Sequence, residues 1–290
     1  MPDHRERLIL VTGATGRQGG AALHHLRERG FGIRAITRDP EKPAARQLAG
    51  RSVEVVRAGL DDPASIARAL EGVYGVYSVQ DARQGAEGEM RQGKNLIDAA
   101  NRAGITHFVY SSVGAADKHT GIPHFDSKAA IEEHLRTSGL PYTIVRPVFF
   151  MENWLGMKSM IDGGAIAWPL TPEKRLQMIA VDDIGGFVAM AFEHPGRWQG
   201  RAIDIAGDEL SMSGIAEAFT RAAGRPVAYQ QIPWELFQQH AREEMTIMYR
   251  WFENTGYDVD ISAIRSEYPN LTNFERWLNT HWAKAQVTAG

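Results

Sequence analysis

The sequence has little net charge, no long apolar run and no cysteine. The chain contains no cysteine, which excludes disulfide bonds, thiolate catalysis, cysteine-ligated zinc and direct thiol redox sensing. No apolar run reaches the roughly 18 residues that a membrane-spanning helix needs, and a charged segment at residues 1–7 predicts no signal peptide. We therefore expect a cytoplasmic protein without a membrane partner.

The charges of the two signs nearly balance. A formal net charge of −3 over 290 residues gives no bulk attraction to nucleic acid or to anionic lipid. The sequence has neither a basic stripe nor a recognisable DNA-binding helix, so we expect no direct nucleic-acid partner. Its length suits one large α/β domain or two smaller lobes, in a monomer or a homodimer.

Short apolar runs alternate with helical stretches through the first half of the chain. This alternation predicts an α/β fold with a doubly wound parallel sheet and a smaller, mostly helical C-terminal lobe. We predict a first domain at residues 1–153 with a returning segment at 178–207. The smaller lobe would comprise residues 154–177 and 208–284, and residues 285–290 would form a tail. The predicted strands of the sheet cover residues 8–12, 31–37, 53–56, 73–79, 107–112 and 142–146.

A glycine-rich turn directly follows the first predicted strand. Glycines at positions 13, 16 and 19 separate that strand from a helical stretch beginning near residue 20. The free N–H groups and positive dipole end of such a helix favour a phosphate, and glycines let a pyrophosphate approach the backbone. We interpret the turn as a dinucleotide cradle, the alternative being a plain structural turn. The candidate cofactor-binding residues of this turn are Gly13, Thr15, Gly16, Arg17, Gln18 and Gly19.

Arg38 follows the second strand, where a dinucleotide-binding fold presents a side chain to the adenosine ribose. An acidic residue there would accept a hydrogen bond from the 2′-hydroxyl group and imply NAD. A guanidinium suits a 2′-phosphate instead, so Arg38 favours NADP(H) as the cofactor. Asp39 keeps the opposite preference open, since a shift of one residue reverses the sign of the charge, and a solvated charged turn is a further alternative.

Ligands of doubly wound sheets lie at the carboxyl ends of the strands. The fifth predicted strand ends in Ser111 and Ser112, which could bind the nicotinamide or a substrate oxygen, or could simply cap the strand end. We take Ser111 as a cofactor-binding candidate and Ser112 as a catalytic one. The third and fourth strands bring further cofactor-binding candidates to the same edge, namely Leu60, Asp61, Val79 and Gln80.

The helix after the fifth strand contains the candidate catalytic residues. Hydride transfer to a carbonyl needs a proton donor near the developing alkoxide and a cation that holds the cofactor. Short-chain dehydrogenase/reductases place a tyrosine four residues before a lysine, so that both share one helix face. Here Lys128 occupies the lysine position and His124 that of the tyrosine. His124 could be the acid or an ordinary helix-start residue, which we favour, and Lys128 could be a solvated helix lysine.

All seven tryptophans follow residue 153. Some could shape a pocket for a flat or apolar substrate. For any one of them we favour the alternative, which is packing in the core of the smaller lobe. A strongly apolar helical stretch at residues 245–252 allows the same two interpretations.

Two further motifs, Gly59-Leu60-Asp61-Asp62 and Val145-Arg146-Pro147 with Glu152-Asn153, complete a recognisable set. Together with residues 13–19, 37–40, 109–112 and 124–128, they resemble the NmrA-like branch of the atypical short-chain dehydrogenase/reductases over nearly the whole chain. The resemblance implies a Rossmann fold and a preference for NADP(H). It also implies that Arg38 takes the 2′-phosphate, that Lys128 takes the nicotinamide ribose, and that Phe150 to Asn153 line the nicotinamide end, with Phe150 and Asn153 as site candidates.

The resemblance leaves two functions open. The branch includes redox-sensing regulators without established turnover, and lies near NAD(P)H-dependent quinone reductases and plant phenylpropanoid reductases. The plant enzymes likewise lack the tyrosine and keep a lysine, in a Phe-x-x-Lys pattern that Phe125 to Lys128 matches. The hypothesis that we favour is an NADPH-dependent reductase of a small electron-poor acceptor, such as a quinone, enone or imine, for which water can supply protons. The alternative is an NADP(H) sensor whose affinity for a protein partner changes with the state of the cofactor. Neither function requires a metal site, and we predict none.

Overall fold

A computed structural model of the chain describes residue 4 and residues 6–50, 53–80 and 84–282. The chain forms two compact units. The first comprises residues 1–119, 123–146 and 181–204, and the second comprises residues 120–122, 147–180 and 205–290. The predicted tail at residues 285–290 lies outside the described part of the chain.

A seven-stranded sheet forms the centre of the first unit. Its strands are β1 (Leu8–Val11), β2 (Gly32–Thr37), β3 (Glu54–Arg57), β4 (Gly75–Ser78), β5 (His107–Ser111), β6 (Tyr142–Pro147) and β10 (Arg201–Ile205). They lie in the order β10-β6-β5-β4-β1-β2-β3, and neighbours among β1 to β6 are parallel. The order reverses between β1 and β4, and β10 forms one edge, in agreement with the alternating pattern of its sequence.

Helices connect these strands and cover the sheet. Asp62 caps one of them, since its carboxylate accepts hydrogen bonds from the N–H groups of Ala64 and Ser65. Two others pack so closely that a Cβ atom on Gly185 would lie 2.6 Å from the backbone of Ala21. The helices of this unit are α1 (Arg17–Glu28), α2 (Pro43–Ala49), α3 (Pro63–Ala69), α4 (Gly85–Arg102), α5 (Pro123–Thr137), α7 (Val181–Glu193) and α8 (Pro195–Trp198).

The second unit contains two small sheets and several short helices. One sheet has the order β11-β9-β7 and uses β7 (Phe149–Phe150), β9 (Arg175–Ile179) and β11 (Asp208–Ser211). The other pairs β8 (Ala165–Trp168) with β12 (Ala228–Gln231) in parallel. The helices are α6 (Lys158–Asp162), α9 (Met212–Ala223), α10 (Trp234–His240), α11 (Glu243–Asn254), α12 (Ile261–Glu267) and α13 (Phe274–Trp277).

Aromatic side chains fill the core of the second unit. Trp154 stacks on Trp168 with ring centroids 4.8 Å apart, and the ring of Phe219 meets Trp154 and Trp282 edge to face. Trp154, Trp277 and Trp282 are completely buried. Core packing, the interpretation favoured from the sequence, therefore accounts for these tryptophans.

The predicted fold class is confirmed. The first unit is a doubly wound α/β sheet whose strand order is that of Rossmann folds, and the second unit is mostly helical. Among the described residues, none of the helices combines the length and the apolar character that crossing a membrane demands.

Candidate functional site

The candidate site lies at the carboxyl ends of the parallel strands. Because the strand order reverses between β1 and β4, the connections that leave these two strands diverge and open a crevice there, which is where ligands of open α/β sheets bind. The turn after β1 and the residues that end β2, β4 and β5 meet at this edge. Most of the predicted cofactor-binding residues are among them.

The turn after β1 contains the three spaced glycines. Gly13 has a φ of +59°, a conformation that favours glycine. Gly19 lies in the first turn of α1, where a Cβ atom would overlap the carbonyl group of Gly13 and lie 2.7 Å from the amide nitrogen of Ala14. Thr15, Gly16 and Arg17 are exposed between them. The glycine spacing therefore lets the helix begin directly against the turn.

The N-terminus of α1 has no side-chain cap. Gly16 is the N-cap residue and makes no side-chain capping hydrogen bond, and the first turn contains no acidic residue. The first N–H groups of a helix have no partner within the helix, so they can bind an anion here. Thr12 fixes the neighbouring strand end, because its hydroxyl group contacts both the N–H and the C=O of Val79 at 2.7 Å.

Arg38 follows β2 with an exposed side chain. The carboxylate of Asp39 accepts a hydrogen bond from the N–H of Glu41 at 3.0 Å, so one of its oxygens stabilises the turn that contains both residues. Gly59 lies beside the arginine, since a Cβ atom on this glycine would be 4.0 Å from Cγ of Arg38. Of the two charged side chains that the sequence left open, Arg38 is the more exposed, and its role at this strand end stays a prediction.

Leu60 and Asp61 are held in place by helix α4. The carbonyl group of Leu60 accepts a hydrogen bond from Asn95 at 3.0 Å. Gln92 and Arg91 donate to the two carboxylate oxygens of Asp61 at 2.7 and 2.8 Å. These hydrogen bonds lower the pKa of Asp61 below its usual value, with a smaller contribution from the charge of Arg38. Asp61 is thus an ionised carboxylate in the neighbourhood of Arg38.

Gln18 joins the glycine turn to the end of β5. The Oγ atom of the buried Ser111 donates to Oε1 of Gln18 at 2.6 Å. Tyr77, the last residue but one of the adjacent strand β4, is completely buried, and burial raises the pKa of its hydroxyl group. The candidates Gln18 and Ser111, which are 93 residues apart in sequence, are therefore in direct contact.

Four buried polar atoms of β4, β5 and the residues that follow them have no hydrogen-bond partner in the described part of the chain. They are Oγ of Ser112, Oε1 of Gln80 and the hydroxyl oxygens of Tyr77 and Tyr110. The amide nitrogen of Gln80 donates to Ser78 at 2.8 Å, which leaves its oxygen as an acceptor. Because buried polar groups in native proteins are nearly always satisfied, Ser112 and Gln80, which follow the strand ends, are candidate contacts for a polar ligand.

Lys128 is paired with a residue that the sequence did not point to. Its ammonium group donates to Oε1 of Glu89 on α4, and Oγ of Ser127 donates to Oε2 of the same carboxylate at 2.8 Å. Glu89 is only 1% exposed. His124, four residues before Lys128, is half-buried and contacts the ring of Phe125 edge to face. No local pattern signals Glu89, because it precedes Lys128 by 39 residues.

Arg146, which belongs to the Val145-Arg146-Pro147 motif, is the centre of a second buried charge cluster. Its Nε and Nη2 atoms donate to both oxygens of Glu132 at 2.9 and 2.6 Å, and Nη1 donates to Asp117 at 2.8 Å. Asp204 lies 3.6 Å from the same guanidinium, and burial raises its pKa. The cluster fixes the segment after β5, in which Ala115 and His119 both have positive φ angles.

Phe150 and Asn153 belong to the second unit. Phe150 ends β7, paired with Ile179, and Asn153 lies in a short helical segment that follows. Both are half-buried and flank the buried Glu152, whose carboxylate accepts a hydrogen bond from the indole of Trp277 at 2.9 Å. Their predicted role at the nicotinamide end stays a prediction.

The residues of the first unit fit a dinucleotide with a 2′-phosphate. Gly13 and Gly19 leave no room for side chains at their positions in the cradle, the N-cap residue of α1 has no side chain, and an exposed arginine follows β2. Oγ of Ser112 and Oε1 of Gln80 are buried without a hydrogen-bond partner in the described part of the chain. No group of three or more histidine or acidic side chains in the described ranges could hold a metal ion.

Comparison with known proteins gives three informative similarities. The sequence model of the NmrA-like family matches residues 5–278. An NAD(P)H azoreductase of Xenophilus azovorans is 33% identical over 245 residues, which cover 83% of this chain and 81% of the azoreductase. The crystal structure of NmrA, a negative transcriptional regulator, in complex with NADP has a TM-score of 0.82 at 23% identity and covers 99% of this chain and 98% of its own.

A second similar structure is that of an NADPH-dependent quinone oxidoreductase of Escherichia coli complexed with NADPH. It has a TM-score of 0.82 at 24% identity, over 94% of this chain and 99% of its own. At such identities the two structures establish the fold alone, and the fold is shared by a regulator and by a reductase.

Proposed function

This chain belongs to the NmrA-like family, and from that premise we propose that it binds NADP(H) and reduces a small electron-poor acceptor at the expense of NADPH. The observation that carries the proposal is the glycine-spaced cradle between β1 and α1, together with the exposed Arg38 after β2. A pyrophosphate and a 2′-phosphate are the two anionic groups of NADPH, and the chain offers backbone N–H groups to one and a guanidinium to the other.

The residues around the cradle complete the binding of the cofactor. Leu60, Asp61 and Val79 lie at the ends of β3 and β4, where the adenosine of a bound dinucleotide would be. The contact between Gln18 and Ser111 closes the turn beside the pyrophosphate. The unsatisfied atoms of Gln80 and Ser112 can bind the amide or hydroxyl groups of the cofactor. Lys128 would hold the ribose of the nicotinamide, and NADPH, when bound, supplies the hydride.

The position of the missing tyrosine decides the class of acceptor. His124 stands where a short-chain dehydrogenase has its tyrosine acid, and it is half-buried against Phe125. A simple ketone needs a proton donor of matched pKa as the alkoxide develops. A quinone, an enone, an imine or an azo bond spreads the incoming charge over a conjugated system, so water can supply the protons. The 33% identical azoreductase supports an acceptor of this class.

Two measurements test the proposal. Calorimetry with NADPH and NADH establishes whether the purified protein binds the cofactor and prefers the phosphorylated form. NADPH consumption is then followed with a panel of quinones, enones, imines and azo dyes. Binding with acceptor-dependent oxidation supports the reductase. If intact protein binds neither NADPH nor NADP⁺, the proposal is wrong.

The second candidate function is a sensor of the NADP(H) state that acts through a protein partner. The observation that favours it is the residue at position 124, which is a histidine where short-chain dehydrogenases have their tyrosine acid. A sensor must bind its partner with different affinity in its different cofactor states. NADP(H) binding without oxidation by any acceptor of the panel would favour this function over the reductase.

A further inference from the structure

The ion pair of Lys128 and Glu89 has a pronounced asymmetry of burial. Lys128 has 13% of its side-chain surface exposed, whereas Glu89 has 1%. A ligand that arrives from solvent therefore meets the lysine and not the carboxylate. Both carboxylate oxygens are engaged, one by Lys128 and the other by the hydroxyl group of Ser127. Glu89 is consequently fixed in one orientation from two sides.

Stability alone gives little reason for such a pair. Removing a carboxylate from water is energetically costly, and apolar residues of similar volume often serve a buried position equally well or better. Replacing one partner only is different, because it leaves an uncompensated charge. A buried pair at this position therefore suggests that the lysine has a task that requires a fixed ammonium group.

That task is explained by the flexibility of lysine and by the charges of the proposed ligand. A lysine is a point charge on a flexible four-carbon stem, and NADPH bears its negative charges on the phosphates. An unrestrained ammonium beside this ligand would be attracted to the phosphates and away from the neutral ribose. An ammonium has three N–H donors, and the contact with Glu89 uses one, so the pair does not exhaust what the lysine can donate.

We propose that Glu89 is a positioning residue, which holds the ammonium group of Lys128 so that it binds the nicotinamide ribose of NADP(H) and not the phosphates. This inference rests on the proposed function, since it requires that the chain binds a dinucleotide. Ser127 contributes indirectly, because its hydrogen bond prevents rotation of the Glu89 carboxylate. Glu89 itself contacts neither the cofactor nor the substrate.

The test compares NADPH with adenosine 2′,5′-bisphosphate, a fragment that has the 2′-phosphate but no nicotinamide ribose. Glu89→Gln retains the volume of the side chain and removes its charge. We expect it to weaken NADPH binding roughly fivefold or more and to leave the affinity for the fragment unchanged. Glu87→Gln, an exposed glutamate on the same helix, is the matched control and should bind both ligands as the wild type does.

A double-mutant cycle separates positioning from general damage. If Glu89 acts through Lys128, then Glu89→Gln should have no further effect on NADPH affinity in a Lys128→Ala background. Should Glu89→Gln fail to fold, Ser127→Ala makes the same comparison. We then expect a smaller loss of NADPH affinity and an unchanged affinity for the fragment.

The outcomes distinguish this inference from the proposed function. A wild-type protein that binds neither ligand overturns both. A wild type that binds both, with a variant that binds NADPH equally well, overturns only the positioning role. If Glu89→Gln weakened the binding of NADPH and of the fragment equally, Glu89 would be a structural residue, and the positioning role would again be wrong.

Discussion

Gly19 packs directly against Gly13, so closely that a methyl group on Gly19 would overlap the carbonyl group of Gly13. Gly19→Ala must therefore push the first turn of α1 away from the turn after β1. Because the same turn presents the N–H groups that would bind the pyrophosphate, we expect NADPH affinity to fall roughly tenfold or more. The overpacking should lower the free energy of unfolding by about 1–3 kcal/mol, as measured by urea denaturation.

The adjacent glycine provides the control for this prediction. A Cβ atom on Gly20 would be 3.6 Å from the nearest atom, the carbonyl oxygen of Ala14, which is an ordinary van der Waals contact. Since alanine is the better helix former, Gly20→Ala should retain NADPH binding and should not destabilise the fold. If Gly19→Ala bound NADPH as tightly as Gly20→Ala, the cradle would not be the pyrophosphate site.

Arg38 should determine the preference for NADPH over NADH. Arg38→Asp replaces a charge-assisted hydrogen-bond donor by a carboxylate that repels the 2′-phosphate. We expect a loss of NADPH affinity of roughly 10- to 100-fold, with NADH affected much less, in calorimetric titrations of both cofactors. Arg27→Asp, an exposed residue near the C-terminal end of α1, makes the same change in net charge and should alter neither affinity. Equal losses for NADPH and NADH would exclude a role at the 2′-phosphate.

The sheet and the cradle were predictable from the sequence because their signals are local. Buried parallel strands appear as short apolar runs, and a strand, a glycine turn and a helix follow one another within residues 8–28. The ambiguity between Arg38 and Asp39 was not resolvable in the same way. It depends on which of the two side chains extends further from the turn, and residue types alone do not decide this; in the structure Arg38 is the more exposed of the two.

The charge pairs of the first unit were not predictable. Glu89 and Lys128 come together only because α4 packs on α5, and Asp204 approaches Arg146 only because β10 lies beside β6. Each of these acidic residues looks in the sequence like an ordinary helix or strand residue with an exposed side chain. Burial of a charge is a tertiary property, so the structure was required to identify Glu89 as a partner of the candidate site.

The Arg146 cluster should be a major contributor to stability. Arg146→Met would leave Glu132, which is 1% exposed, without its bidentate partner, and breaking a buried pair in this way costs about 3–5 kcal/mol. We expect that loss in urea denaturation, and a substantial recovery when Glu132→Leu is added. Arg136→Met is the matched control, because Arg136 donates to the same carboxylate at 3.0 Å from a more exposed position, where about 1 kcal/mol or less is at stake. An additive double variant would contradict the coupling.

His107 should make the stability of the protein depend on pH below neutrality. The imidazole is completely buried in β5, and burial lowers its pKa from 6.5 to about 4. Nε2 lies 2.8 Å from the hydroxyl group of Thr143, which itself donates to the carbonyl group of Trp198 at 2.8 Å. Since that hydroxyl proton is already committed, Nε2 is the donor and carries the proton of the neutral ring. Nδ1 is buried with no partner in the described residues, so protonation would create a donor with no acceptor.

The direction of the pH effect on stability follows from the protonation of His107 in the folded and in the unfolded chain. Between pH 6.5 and about 4 the unfolded chain takes up a proton at His107 and the folded chain does not, so the stabilisation present above pH 6.5 is lost as the pH falls toward 4. The loss from this group amounts to about 3 kcal/mol. His107→Gln, whose amide can still donate to Thr143, should flatten the profile of unfolding free energy against pH over this range, whereas His24→Gln, at an exposed position, should not. Wild-type and His107→Gln profiles that run parallel would mean that the imidazole is protonated in the folded protein as readily as in the unfolded chain.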